Sequence, residues 1–345
     1  MALFGRKKTT VGLDIGSGLI KVAVIDHGRG QPELVKVAIT PLLADAIVEG
    51  EIMDPGIVSD AIRTALASAG VKNKEVVTAV GGRDVIIKKI QIDRVKETEV
   101  RDVVRWEAEQ HVPFDMESVE LDCQVLNPED EGLDMSVLLV AAKRELIENR
   151  MSLLADAGIQ PAIIDVDAFA IHNAFEHNYP EAVSGLVALV NIGHDTTNVN
   201  LLKDGAPILV RDVPFGSRRL REALQRERGF TSDHAENLLQ GRGAADDIRS
   251  LLDERVDELA VGIERAAAFI VAQSGGEGIG RVFLSGGGAA IPGMVQALGN
   301  RLGVRTEVAS PLKRVGVRPD VMQSTAIDEV APMLMLPIGL ALRTA

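Results

Sequence analysis

The chain is poor in cysteine: Cys123 is the only one in 345 residues, which excludes a disulfide framework and any zinc site built on thiolates. A reducing compartment, the cytoplasm, is the expectation. Aromatic residues make up only 3 %, with one Trp and one Tyr, and no basic stripe with interleaved aromatics occurs. A net charge of −13 argues in the same direction, against general nucleic-acid binding. No run of about 18 apolar residues is present, so no membrane span is expected. The basic start Met1–Lys8 has no apolar region behind it, because Asp14 and Lys21 interrupt the run, and it does not read as a signal peptide. It reads as a frayed terminus, with a weak attraction of Phe4 and Arg6-Lys7-Lys8 to an anionic membrane surface as the alternative.

Apolar residues and glycine are plentiful, at 46 % and 33 residues, and the length suits two lobes rather than one core. Segments with β-branched runs alternate with segments of helical period, which indicates an α/β protein. Asp54-Pro55 reads as an N-cap and first helical position, and Gly70 as the stop of that helix. Val76–Val80 and Val85–Ile92 read as strands around the Gly81-Gly82 turn, and Thr98–Val112 as an amphipathic helix closed by Pro113. Ser136–Ala142 reads as a strand, Lys143–Ala157 as a helix, Ala162–Asp165 as a strand, and a helix follows from about Ala168. In the second half, strands are expected at Leu186–Gly193, Pro207–Arg211 and Val282–Ser285. Helices are expected at Arg218–Glu227, Ser232–Leu239 and Asp247–Gln273, with another opening at Pro292.

The most informative segment is Val11-Gly-Leu-Asp-Ile-Gly-Ser-Gly-Leu-Ile-Lys-Val-Ala-Val24. A strand enters a polar, Gly-bearing turn and a second strand leaves it. In a Rossmann unit or a P-loop the glycine-rich turn opens a helix instead, so those readings fail on context. The offsets place Asp14, Ser17 and Lys21 where a nucleotide triphosphate needs them. Lysine neutralises phosphate charge, Ser17 and the N–H groups from Gly16 through Gly18 to Leu19 donate to oxygens, and Asp14 holds a hydrated Mg²⁺. A plain tight hairpin is the competing reading.

The pattern returns at Leu189-Val-Asn-Ile-Gly-His-Asp-Thr-Thr-Asn198, offering Asn191, Gly193 and the Thr196 and Thr197 hydroxyls. Asn191 carries no charge and coordinates Mg²⁺ poorly, so binding without efficient hydrolysis is expected. Asp195 is either its substitute or an exposed loop acid, and His194 reads as a loop residue. A third element, Ser285-Gly-Gly-Gly288 after a strand, lets backbone approach a flat base or a phosphate through Gly286, Gly287 and Gly288. Three such loops in this order outweigh any one of them.

These residues resemble the two phosphate motifs and the adenosine motif of the actin-like ATPase superfamily. Asp165–Ala170 and Leu336–Leu342 resemble its two connecting segments. Within it, Gly81–Ile90, Arg105–Asp115, Val137–Lys143 and Arg211–Gly216 are similar to the PilM family of type IV pilus assembly proteins. The resemblance implies a two-lobed actin-like ATPase fold with an FtsA-like subdomain IC insertion. The subdomains would be IA at 1–84 and 160–185, IC at 85–159, IIA at 186–217 and 275–345, and IIB at 218–274. It implies ATP and Mg²⁺ as cofactors, with Asp14 and Asn191 as the candidate catalytic residues and the enzyme at most a slow ATPase. Glu236 lies in Ala235–Leu239, which resembles a nucleotide-contacting helix, although Leu239 stands where a lysine is common.

The implied role is an adaptor peripheral to the inner membrane, docking the N-terminal peptide of the membrane protein PilN. A pilus motor or a second copy would be further partners. Arg83, Trp106 and Phe114 are the candidate walls of the peptide groove, although Val103 and Val104 make Trp106 read equally as a core residue of its helix. Two alternatives stand beside this reading. An FtsA-like filament protein would carry a membrane-binding tail beyond Leu340–Ala345, and a sugar or carboxylate kinase would use Asp165 or Asp167 as its base.

Overall fold

The computed structural model describes residues 9–28, 30–129, 132–273, 278–324 and 326–343; Phe4 and Arg6–Lys8 lie outside them. Two sheets form the centres of two lobes. The first has the strand order Gln160–Val166, Glu75–Val80, Thr9–Ile15, Leu19–Asp26, Glu33–Pro41 and Gly316–Val317. Its middle is the antiparallel hairpin of Thr9–Ile15 and Leu19–Asp26, flanked by parallel pairing to Glu75–Val80. Alternate residues of the hairpin face the helix Pro55–Ser68, burying Leu13, Ile20 and Val22 against Ile62 and Leu66. Each such side chain contributes roughly 1.5–3 kcal/mol of transfer free energy. The helix starts where Asp54 Oδ1 accepts from the Ile57 N–H at 3.0 Å, and Pro55 needs no donor partner there. It stops at Gly70, whose φ of 60° is left-handed.

The second sheet runs Ala206–Val213, Thr197–Lys203, Leu186–Ile192, Arg281–Ser285 and Arg305–Val308. One face is covered by the helices Ser217–Arg228, Ser232–Leu239 and Ala245–Gln273. Leu220, Leu238, Leu251, Leu259 and Ile263 share one core with Val190 and Leu201 of the sheet.

A third sheet of Val85–Asp93, Asp134–Lys143 and Val119–Val125 is inserted between Glu75–Val80 and Gln160–Val166 of the first. The helix Glu97–His111 covers one of its faces through Val100, Val104 and Ala108. The strand Val119–Val125 was not expected from the sequence, although its residues alternate between the two faces. After the inserted sheet the helix Arg144–Asp156 returns the chain to the first lobe, where Leu153, Leu154 and Ala157 join the core around Ile62.

Two helices link the lobes: Asp167–Asn178 and Met335–Leu342, the expected connecting segments. They cross with Gly339 against the carbonyl of Ala170, leaving no room for a Cβ. Val315, Val321, Leu334 and Ile338, grouped with the second lobe from the sequence, pack on the first, while Met335, Leu336 and Leu340 sit in a core that both lobes share. Gly316–Val317 pairs with Glu33-Leu34, and Val321, Leu334 and Ile338 cover Ala23 and Ile25. That apolar face of the hairpin needs a cover, and the last helices supply it.

Candidate nucleotide cleft

The first hairpin places Asp14 directly opposite Lys21. Lys21 Nζ donates to Asp14 Oδ2 at 2.6 Å, and both side chains are largely buried. Burial makes this pair sensitive: either charge left alone there would lack its compensation. The turn is closed by the Gly16 N–H donating to the Leu19 carbonyl at 3.2 Å. The Gly16 N–H therefore serves the turn, which leaves phosphate donation to other groups among those expected. Ser17 and Gly18 form the half-buried tip.

The second hairpin repeats the first. Asn191 stands opposite Asn198 at the same offset of seven, and the Gly193 N–H donates to the Thr196 carbonyl at 2.9 Å. Thr197 Oγ1 is buried and donates to the Phe215 carbonyl at 2.7 Å, so its hydroxyl holds the fold together, while Thr196 is half-buried at the turn. The carbonyls of Gly193 and His194 accept from the N–H groups of Ser217 and Arg218, seating the helix Ser217–Arg228 on the turn.

The two tips meet. A Cβ on Gly18 would stand 2.8 Å from His194 Cγ, so one turn lies against the other. Burial holds the His194 pKa below its ordinary value, which favours the neutral ring, and its Nδ1 is 3.3 Å from Ser217 Oγ. A second link crosses the cleft where Arg218 Nη2 meets Asp45 Oδ1 at 2.8 Å while its Nε donates to Glu222 at 2.9 Å. Asp195, read as a possible exposed loop acid, is buried, with both carboxylate oxygens lacking a hydrogen-bond partner.

The third turn follows Arg281–Ser285. Ser285 Oγ donates to Asn191 Oδ1 at 3.2 Å, tying it to the second hairpin. Gly286 has φ 82° and packs against Ile192 and Asn191, Gly288 packs against Ile192, and a Cβ on Gly287 would meet no atom within 4 Å. Gly287 is thus the open side of this turn. Glu236, from the helix Ser232–Leu239, is 3.7 Å from Arg221 and accepts from Gln240 at 2.6 Å; Leu239 is buried in the lobe's core.

Three further charged groups gather near Asp14, of which Arg150 and Asp212 carry little signal in the sequence. Asp167 opens the first connecting helix; burial and the nearby negative charge of Asp14 push its pKa up to about 7. Arg150 is buried within reach of the charges of Asp167 and Asp14, and burial lowers its pKa. Asp212, raised by burial, accepts from Asn198 Nδ2 at 3.1 Å. Asp165, the other base expected for a kinase, is occupied: Oδ1 accepts from the Val166 N–H at 2.8 Å and Oδ2 faces Arg343 at 3.3 Å.

The donor set fits a nucleotide with its metal. Buried Lys21 supplies a cation, Asp14 a carboxylate, Gly287 an open backbone face, and the surroundings come from both lobes. The expected groove residues have separate neighbours. Arg83 pairs with Glu51, and the Phe114 ring lies under Lys143 Nζ at 4.9 Å. Trp106 is 79 % exposed, on the face of its helix opposite Val100, Val104 and Ala108, rather than in the core.

The profile of the family described as type IV pilus assembly protein PilM matches residues 12–345. The chain belongs to the PilM family. Its fold superposes on a PilM-PilN type IV pilus biogenesis complex with a TM-score of 0.86 and 28 % identity, covering 98 % of this chain and 99 % of that one. It is also similar to the ethanolamine utilization protein EutJ of Carboxydothermus hydrogenoformans, with a TM-score of 0.59, 17 % identity and coverage of 97 % and 90 %. MreB 5 of Spiroplasma citri bound to AMPPNP gives 0.53 and 12 % identity, covering 98 % of this chain and 96 % of that one. The last two bear on fold alone: a two-lobed actin-like architecture, here with the inserted three-stranded sheet. The FtsA-like and kinase readings are not favoured by this family membership. Among the described residues, no helix is long and apolar enough to cross a membrane.

Proposed function

We propose that this PilM-family protein holds ATP·Mg²⁺ between its two hairpin turns and docks the N-terminal peptide of a PilN-type membrane protein beside the inserted sheet. It works as an adaptor at the inner membrane rather than as a metabolic enzyme. The observation that carries the nucleotide reading is the meeting of two equivalent turns at Gly18 and His194, with the buried Asp14–Lys21 pair beneath.

Lys21 would neutralise phosphate charge, Ser17 would donate to it, and Asp14 would orient the water shell of the metal. Mg²⁺ supplies charge neutralisation at the phosphates. Asn191, held by Ser285, offers no carboxylate at the equivalent place, which supports holding over cutting. Closure of the lobes on the nucleotide would alter the peptide's surroundings, so each ligand would change the affinity of the other.

The test is calorimetric titration of the protein with ATP·Mg²⁺, and with a PilN-type N-terminal peptide in the presence and absence of ATP·Mg²⁺. Binding of both, with peptide affinity shifted by nucleotide, is expected. Absence of nucleotide binding at millimolar concentration would refute the cleft assignment, and equal peptide affinity in the two conditions would refute the coupling.

A further inference from the structure

The inserted sheet is attached to the first lobe at the floor of the nucleotide cleft. Its entry passes Gly81, which lies so close to the Asp167 carboxylate that a Cβ would clash with it. Its exit is the strand Asp134–Lys143, which runs without a break into the helix Arg144–Asp156 carrying Arg150. The entry therefore adjoins Asp167, and the helix that follows the exit carries Arg150 toward it.

Arg150 is unusual in how it is held. Its Nε and Nη1 are buried with no hydrogen-bond partner, while the carboxylates facing it electrostatically are Asp167 and Asp14. A buried guanidinium with unmet donors is costly unless another state of the protein satisfies it. Asp14 is engaged by Lys21, and Asp167 is flanked in turn by Asp14, Asp212 and Lys21. A polyanion arriving at Lys21 would draw that lysine toward phosphate. Asp14 would then face the water shell of the metal, and Asp167, losing the lysine's charge, needs a counter-ion that Arg150 is placed to supply.

The other end of the helix is anchored at the opposite side. Lys143, its N-cap, pairs with Asp84 at 2.6 Å and sits over the Phe114 ring, while Arg144 pairs with Glu120 at 3.1 Å. Leu153 and Leu154 fix the helix in the core of the first lobe. A small displacement of Arg150 would thus be passed to the strand and ring around Lys143, because packed elements move as units.

We propose that Arg150 is the positioning residue that couples the nucleotide cleft to the inserted subdomain: it takes over Asp167 when Lys21 turns to phosphate, and shifts the helix that bears it. This rests on the nucleotide–peptide coupling proposed above, and its test separates the two. A fluorescent PilN-type N-terminal peptide is titrated with wild-type protein and with Arg150→Met, each with and without ATP·Mg²⁺, while ATP affinity is measured directly by calorimetry.

In the wild type the peptide affinity should change about fivefold or more with nucleotide. Arg150→Met should bind ATP more weakly than wild type and, at ATP concentrations that saturate it, bind the peptide as the nucleotide-free wild type does, with the ratio reduced to near one. A full wild-type ratio in a variant that binds ATP overturns the proposal. A ratio near one in the wild type itself, with both ligands bound, overturns the coupling reading and this one with it, and is read before any variant is made. Should Arg150→Met fail to fold by its thermal melt, Asp167→Asn takes its place: a ratio near one supports the proposal and a full ratio overturns it. In the double variant the two losses should not add, as expected for residues acting through one contact.

Discussion

The two hairpins share a backbone and differ in charge. Each enters a turn through Ile-Gly, closes it with a glycine N–H on the carbonyl three residues later, and sets the residues at an offset of seven face to face. In the first the facing pair is Asp14 and Lys21; in the second it is Asn191 and Asn198. The carboxylates of the second lobe stand elsewhere, at Asp195 on the turn and Asp212 on the neighbouring strand. The same backbone turn can thus be kept while the ionised groups are removed from one side. Binding and turnover place different demands on the same turn.

The contrast can be broken most severely at its charged pair. Lys21→Met leaves Asp14 buried without its partner, which should cost about 3–5 kcal/mol of stability and nearly all ATP affinity. Asn198→Met removes one exposed hydrogen bond to the Asp212 carboxylate and should cost about 1.5 kcal/mol. Chemical denaturation of both variants, with nucleotide titration, checks the difference; equal losses would mean that the ion pair carries no special weight.

The turns themselves come next. A Cβ on Gly193 would stand 2.7 Å from the Thr196 carbonyl oxygen, against 3.1 Å from that of Leu19 for Gly16. Gly193→Ala should therefore cost about 1–3 kcal/mol and Gly16→Ala distinctly less. Their thermal melts should rank in that order. Asn191→Asp makes the second hairpin more like the first. With Ser285 still able to donate to the new carboxylate, Mg²⁺-dependent phosphate release should rise roughly tenfold, equivalent to about 1.4 kcal/mol of barrier. An unchanged rate would show that a carboxylate at that place is not what limits hydrolysis.

The smallest effect is electrostatic. Asp167 is raised from the usual 3.8 to about 7 in the folded chain, so the folded state holds that proton more tightly than the unfolded one. Its contribution is fully present below about pH 4 and is lost as pH rises through about 7. Stability should fall by on the order of 1 kcal/mol across that window, screened because the side chain is only half-buried. Asp167→Asn should flatten that slope in denaturation curves measured between pH 5 and 8.

Much of the architecture was legible because apolar spacing and turn chemistry agree locally. The first hairpin, the capped helix at Asp54 and the long helix ending at Gln273 follow from β-branched runs, a cap with Pro, and helical period. The strand Val119–Val125 was missed although Val, Leu, Cys and Val alternate with Glu, Asp and Gln, a signal that only needed counting. The core reading of Trp106 fails for a related reason. Two residues beyond Val104 is about 200° around a helix, so sharing a helix with buried valines places it on the far side.

The facing pair of Asn191 and Asn198 could have been found by carrying the offset of seven from one hairpin to the other. Arg150 could not. It is one arginine in an amphipathic helix, and its neighbours Asp167 and Asp14 come from distant parts of the chain. The packing of Val315, Val321, Leu334 and Ile338 on the first lobe is likewise tertiary, decided by which sheet face lacks a cover.

The crossing of the connecting helices at Gly339 and Ala170 has a mechanical consequence. Backbone touches backbone there, so no side chain can slide, compress or change rotamer to absorb motion. The contact resists sliding of one helix past the other, so relative motion of the lobes would be rotation about that point. The crossing would act as a fulcrum, at which closure of the hairpin tips on a ligand becomes rotation of one lobe against the other.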